Sequence, residues 1–281
     1  MTAKAPRRLF GTTRREVPLV GQGSWRSDES STADAVAALR RGLDLGMTHI
    51  DTAEMYGDAE LVIAEAIAGR RDEIFLVSKV LPSNASRRGT VTACERSLKR
   101  LKTDRLDCYL LHWRGAHPLA ETLAAFTELR SSGKIRAWGV SNFDVDDLEE
   151  AASIAGAGLP ACNQVLYHLG ERTVEEREFA YCREHGVSIV GYTPFGRGDY
   201  EDQPGTAVLE RVAKKYEATI RQVILAFLTR DPIVFTIPKA STIAHAAENA
   251  AAGDLLLESA DIDAIDKAFP TRERRGGLPT L

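Results

Sequence analysis

"THIDTAEMYGDAELVIAEAIAGRRDEIFLVSK", residues 48–79, decides the fold. It opens on a short apolar run, "THID" (48–51), and closes on another, "IFLVSK" (74–79). Both carry the β-branched and aromatic residues that favour strands. Between them, "AELVIAEAIAGR" (59–70) repeats its apolar residues at helical spacing. Strand, helix and strand in succession imply parallel strands joined by a right-handed crossover. The junction "DTAEMYG" (51–57) poses a question of its own. It sets an acid and a phenol at the end of an otherwise apolar strand.

The same unit recurs along the chain. Further strand-like runs are "RLDCYLLHW" (105–113), "IRAWGVSN" (135–142), "ACNQVLY" (161–167), "VSIVGYT" (187–193) and "IVFTIP" (233–238), and "PLVGQGSW" (18–25) supplies a first one. Helical patterns lie at 32–46, 90–102, 119–134, 145–156 and 174–186. Several helical patterns close on a glycine suited to a left-handed cap: Gly46, Gly69, Gly133, Gly156 and Gly186. Eight strands in this rhythm match an α/β fold, a (β/α)8 TIM-type barrel of about 250 residues. An open doubly wound sheet would carry G-x-G-x-x-G after its first strand, and "GQGSWR" (21–26) breaks that spacing. No linker or shift of composition divides the chain, so residues 1–281 are expected to form one domain. Residues 7–20 are expected to be a β-hairpin closing the barrel bottom, and 270–281 a C-terminal tail.

Composition narrows the function. A net charge of −4 gives no general field that would favour nucleic acid. The four cysteines form no C-x-x-C pair and read as reduced core residues. The six histidines show no ligand spacing with cysteine or carboxylate, so no metal is expected. The N-terminal stretch lacks the apolar core of a signal peptide, and no run approaches the ~18 apolar residues of a membrane span. A cytoplasmic monomer with no membrane and no nucleic-acid partner is the expectation.

Polar residues mark the strand ends: Ser24, Asp51, Lys79, His112, Ser141 with Asn142, Gln164, Tyr192 and Lys239. Parallel strands of a barrel end at one rim, where barrel active sites sit. Alternation puts Phe75, Val77 and Lys79 on one face of their strand, and Cys108, Leu110 and His112 on one face of theirs. If those faces point inward, Lys79 and His112 cap an apolar interior. Buried charge without partners costs several kcal/mol, so such a cluster has a use. A phenol is a weak acid, of pKa near ~10, unless a nearby ammonium favours its anion. A carboxylate keeps that ammonium charged and aimed, and an imidazole donates a hydrogen bond to a carbonyl oxygen. Tyr56, Lys79, Asp51 and His112 therefore suit reduction of a carbonyl, with hydride to carbon and a proton to oxygen.

With "DTAEMYG", "VSKV" (77–80), "LLHW" (110–113), "WGVSNF" (138–143), "NQVLYH" (163–168), "GYTPFGRG" (191–198) and "IPKASTIAHAAEN" (237–249) in order, the chain resembles the aldo-keto reductases over residues 17–269. That resemblance implies a TIM-like barrel that binds NADPH, with NADH the lesser alternative. It implies Tyr56 as proton donor with Lys79, Asp51 and His112 beside it. Ser141, Asn142 and Gln164 would hold the nicotinamide carboxamide, and Tyr192 would stack on the ring. Ser24 and Trp25 would lie near cofactor and substrate. Thr193, Pro194, Phe195 and Gly196 would run under the pyrophosphate. Lys239, Ala240, Ser241, His245, Glu248 and Asn249 would take the adenosine end. The family usually carries arginine where His245 stands, and histidine is only partly charged near neutrality. NADPH affinity is therefore expected to weaken as pH rises through neutrality.

Trp25, Tyr56, His112 and Trp113 are expected to wall the substrate pocket. The rim segment "RGAHPLAE" (114–121) is short and the tail offers few apolar groups, which suggests a shallow pocket for small carbonyl compounds. The style of "ASRRGT" (85–90) and "LLHWRG" (110–115) is similar to bacterial members that reduce methylglyoxal. "GRGDYEDQPG" (196–205) is either a solvated connection or a flap over the pyrophosphate. Three other readings stay open: a Schiff-base aldolase using Lys79, an NADPH-binding regulatory subunit with little turnover, and a barrel with an unrelated task.

Overall fold

Eight parallel strands lie side by side in the order in which the chain makes them. The computed structural model describes residues 6–26, 31–156, 158–196, 205–274 and 276–281. A hairpin of β1 (Arg7–Leu9) and β2 (Glu16–Pro18) precedes the barrel. The barrel strands are β3 (Gln22–Gly23), β4 (His49–Asp51), β5 (Phe75–Val80), β6 (Leu106–Leu111), β7 (Ile135–Ser141), β8 (Cys162–Leu166), β9 (Ser188–Tyr192) and β10 (Val234–Thr236). Bridges from Val20 to Thr236 and from Gly23 to Lys239 join the last strand to the first. The Gly21 amide donates to Thr236 O at 2.8 Å, and the Thr236 amide to Leu19 O at 2.9 Å, which completes a (β/α)8 barrel.

The helices between strands are α1 (Thr32–Asp44), α2 (Ala59–Ala66), α3 (Arg87–Leu101), α4 (Leu119–Ser131), α5 (Val145–Ala155) and α6 (Glu178–His185). Two helices, α7 (Thr206–Lys215) and α8 (Ile220–Leu228), span β9 to β10. α9 (Ile243–Ala251) and α10 (Ser259–Ala268) follow β10. Residues of alternate faces divide between two layers, as strand periodicity dictates. Phe75, Val77, Cys108 and Leu110 fill the interior, while Leu76, Val80, Tyr109 and Leu111 pack outward against the helices.

Phe10, fully buried, closes the floor. Its ring lies 4.7 Å from that of Phe75 and 5.0 Å from that of Phe235, with His49 at 5.6 Å. The hairpin thus carries an aromatic plug into the barrel bottom, as expected.

Two elements differ from the sequence reading. The expected strand 18–25 has only Gln22–Gly23 in regular pairing, because Pro18 still belongs to the hairpin and Leu19–Gly21 carry the chain across to the barrel. At Gly23 a Cβ would lie 2.6 Å from Ile237 O, so no larger residue fits the closing seam. The expected helix 174–186 splits into a 3-10 turn at Thr173–Glu175 and α6. Glu175 is drawn out of helical register by Tyr167 Oη at 2.5 Å and Arg230 Nη2 at 2.9 Å. The glycines expected to cap helices, Gly46, Gly69, Gly133, Gly156 and Gly186, all have positive φ.

Candidate active site

A cavity of about 810 Å³ opens at the C-terminal rim of the barrel. Ser24, Asp51, His112, Ser141, Asn142, Gln164, Tyr192 and Lys239 all line it, so the recurring polar strand ends do meet at one mouth. Lys79 lies just beneath, fully buried. Its ammonium donates to Asp51 Oδ1 at 2.5 Å and to Thr52 O at 2.9 Å. Gln164 Nε2 donates to the other Asp51 oxygen at 2.8 Å. The Tyr56 hydroxyl lies 3.5 Å from His112 Nε2, and the Lys79 ammonium stands 5.0 Å from the centre of the Tyr56 ring. Asp51, Tyr56, Lys79 and His112, carried by the ends of three successive strands, β4 to β6, thus form one cluster, with Gln164 of β8 joined to it through Asp51.

Electrostatics give each group a definite state. Burial works against the Lys79 ammonium, but Asp51 and Tyr56 together outweigh it and hold its pKa above the ordinary value. Lysine is therefore charged. Burial and the charge of Lys79 push His112 down to about 2, so its ring is neutral. His112 Nδ1 is buried with no protein partner. For Tyr56 the expectation is met only in part. Lys79 lowers the pKa of the phenol through its charge and a side-chain hydrogen bond, but burial raises it more, and Asp51 adds to the rise. The net result is a phenol held protonated, with the ammonium beside it ready to stabilise the anion once a proton leaves.

Glu54 answers the rest of the opening question. Its Oε1 accepts from the Leu81 amide at 2.6 Å and from Asn84 Nδ2 at 3.0 Å, and its Oε2 pairs with Arg96. It ties the loop that carries Tyr56 to the loop after β5. The acid at 51 belongs to the cluster, and the acid at 54 positions the phenol's loop.

The expected nicotinamide residues form a connected wall. Ser141 Oγ donates to Gln164 O at 2.8 Å, Asn142 Nδ2 donates to Ser141 Oγ at 3.0 Å, and the Tyr192 hydroxyl donates to Asn142 Oδ1 at 3.0 Å. Asn142 (φ 59°) and Thr193 (φ 55°) hold left-handed backbone, the kind of strain that collects at functional sites. Ser24 Oγ donates to Asp51 O at 2.9 Å. Trp25, Thr193, Pro194, Phe195, Gly196 and Trp113 also line the cavity. Ala240, Ser241, His245, Glu248 and Asn249 do not; they sit after β10 and on α9. Of "GRGDYEDQPG", residues 197–204 lie outside the described residues.

Sequence reasoning missed part of the rim. Met55, Arg114, Asp147, Thr280 and Leu281 line the cavity too. The tail was expected to contribute little, yet its last two residues, Thr280 and Leu281, line the cavity together with Tyr192. The tail is fastened upstream: Arg274 pairs with Glu178 Oε1 at 2.5 Å and approaches Asp144 at 3.6 Å. The tail therefore contributes to the cavity wall. Arginine in an otherwise polar tail was the available signal, but its partner on α6 is 96 residues away in sequence.

Among the described residues no group of three or more His, Cys, Asp or Glu side chains could hold a metal ion. No helix there is long and apolar enough to cross a membrane.

Residues 19–269 match the aldo/keto reductase family. Methylglyoxal reductase YeaE of Escherichia coli is 44% identical over 268 residues, covering 93% of this chain and 94% of that protein. Glyoxal reductase of Bacillus subtilis is 35% identical, covering 94% and 93%. An aldo/keto reductase from Klebsiella pneumoniae, solved with NADP and acetate, superposes with a TM-score of 0.91 at 41% identity over 99% of this chain and 100% of that one.

Proposed function

The chain belongs to the aldo/keto reductase family, and on that premise we propose that it reduces small aldehydes with NADPH, 2-oxoaldehydes such as methylglyoxal above all. The observation that carries the reading is the cluster itself: a charged, buried Lys79 on Asp51, next to a protonated Tyr56 and a neutral His112.

The residues present fit a dinucleotide. Ser141, Asn142 and Gln164 supply the donors and acceptors a carboxamide needs, and Tyr192 offers a flat face in the cavity wall. Lys239, with Ala240, Ser241, His245, Glu248 and Asn249, would take the adenosine end, and Thr193–Gly196 the pyrophosphate. When bound, NADPH supplies hydride to the carbonyl carbon. The substrate oxygen takes its proton from Tyr56 while His112 donates or shares a hydrogen bond. The phenolate that remains is stabilised by the Lys79 ammonium, which Asp51 keeps charged and aimed. Trp25, Met55 and Trp113, each partly exposed at the mouth, give the carbonyl compound apolar walls. The names of the relatives support 2-oxoaldehydes as the substrate class.

The aldolase alternative meets a physical objection. A Schiff-base lysine must be neutral and reachable, and Lys79 is fully buried and held as an ammonium. The test is NADPH oxidation with methylglyoxal and a panel of small aldehydes, repeated with Tyr56→Phe. The variant should lose most turnover, on the order of a hundredfold or more, and keep its affinity for NADPH. Turnover retained in Tyr56→Phe would defeat the assignment of the proton donor. NADPH binding without turnover on any aldehyde would instead favour the regulatory subunit.

A further inference from the structure

We propose that Arg221 is the permanent cation of the adenosine end, meeting the 2′-phosphate of NADPH in a chain that carries histidine at 245. The inference rests on the NADPH reading above and concerns a residue that lies outside every motif of the sequence analysis.

Arg221 is the second residue of α8 and is exposed. Its guanidinium lies 4.3 Å from the centre of the Phe195 ring. Phe195 lines the cavity, three residues after Tyr192. The next residue, Gln222, fixes the other direction. Its Nε2 donates to Glu248 O at 3.2 Å, while its Oε1 accepts from the Thr219 amide at 2.9 Å in a capping box. The first turn of α8 is thus bonded to α9, the helix that carries His245, Glu248 and Asn249. Arg221 stands between the cavity's pyrophosphate side and the helix expected at the adenosine.

Charge accounting favours it. A phosphate monoester brings close to two negative charges at neutral pH. Lys239 offers one ammonium, already donating to Arg26 O at 2.7 Å. His245, exposed on the first turn of α9, offers an imidazole in place of the planar, five-donor fork of a guanidinium. Arg221 makes no hydrogen bond and no ion pair among the described residues, so no carboxylate neutralises it there. Stacking on Phe195 holds the guanidinium plane and leaves its N–H edges for a bidentate contact. An exposed arginine on an aromatic ring beside a dinucleotide site serves selectivity, because NADH has a hydroxyl where NADPH has the phosphate.

Isothermal titration of the full chain with NADPH, NADH, 2′,5′-ADP and 5′-AMP tests this. In Arg221→Gln, binding of NADPH and 2′,5′-ADP should weaken about tenfold or more, while NADH and 5′-AMP stay within about twofold. Adding His245→Arg to Arg221→Gln should restore the preference for NADPH. Unchanged NADPH affinity, or equal weakening of NADPH and NADH in a variant with the wild-type melting temperature, overturns the inference. Wild-type protein that binds neither dinucleotide overturns the NADPH reading and this one with it, whereas wild-type binding with an unaltered ratio in Arg221→Gln sinks the arginine alone.

Discussion

Replacing Lys79 by methionine separates what the buried pair does for the fold from what it does for the phenol. The Lys79 ammonium stands 5.0 Å from the centre of the Tyr56 ring; with that as the order of separation from the delocalised phenolate charge and an effective dielectric of about 20, the two attract by roughly 3 kcal/mol, which is about two pKa units on Tyr56. Losing that from the transition state slows proton transfer by roughly a hundredfold. The same substitution strands the Asp51 carboxylate, only 2% exposed, with Gln164 as its remaining side-chain donor. A buried charge left without its partner costs about 3–5 kcal/mol of stability. The double variant Asp51→Asn/Lys79→Met removes both charges, so most of the stability should return while turnover stays low. Urea unfolding and single-turnover NADPH oxidation, run on wild type, both single variants and the double, complete the cycle. A double variant that folds, binds NADPH and turns over within about threefold of wild type would refute the reasoning, because the phenol would then need no neighbouring cation.

Two further expectations concern stability. His49 is fully buried, with neither ring nitrogen partnered, and burial lowers its pKa to about 4. Between the usual ~6.5 and 4 the unfolded chain takes up a proton that the native state refuses. Unfolding free energy should therefore fall as pH drops through that window, by up to about 3 kcal/mol. In His49→Phe that part of the slope should vanish in denaturant titrations at several pH values, and an unaltered slope would assign it elsewhere. Arg274→Ala leaves Glu178 buried and unpaired, with a loss of about 3–5 kcal/mol. It also frees the tail, so KM for methylglyoxal should rise more than kcat falls, which steady-state kinetics would show. A proportional loss of both would mean that the tail does not shape the pocket.

Legibility in the sequence followed the range of each interaction. Periodicity is local, so the strand and helix alternation, the inward face shared by Phe75, Val77 and Lys79, and the positive-φ glycines were open to reading. The recurrence of one polar residue per unit was enough to bring Asp51, Lys79, His112 and Gln164 together, because parallel strands must end at one rim. Glu54 was visible but ambiguous: spacing could not say that it would reach Leu81 and Asn84 rather than the cluster. The sign of the Tyr56 shift was likewise out of reach, because burial depends on how closely the walls pack, and burial outweighs the ammonium.

What the amino-acid sequence by itself determined is the barrel, its direction and the set of polar residues at its mouth, since these follow from periods of two and 3.6 and from the parallel sense of the strands. Tertiary structure alone decided which distant segments close over that mouth. The cavity wall shared by Leu281 and Tyr192, the Arg274–Glu178 tie and the Arg221 guanidinium over Phe195 join residues far apart in the chain. No local pattern encodes such meetings. They arise because a closed barrel brings the loops that follow its strands to one end, which the tail also reaches, and charge and shape then select among them.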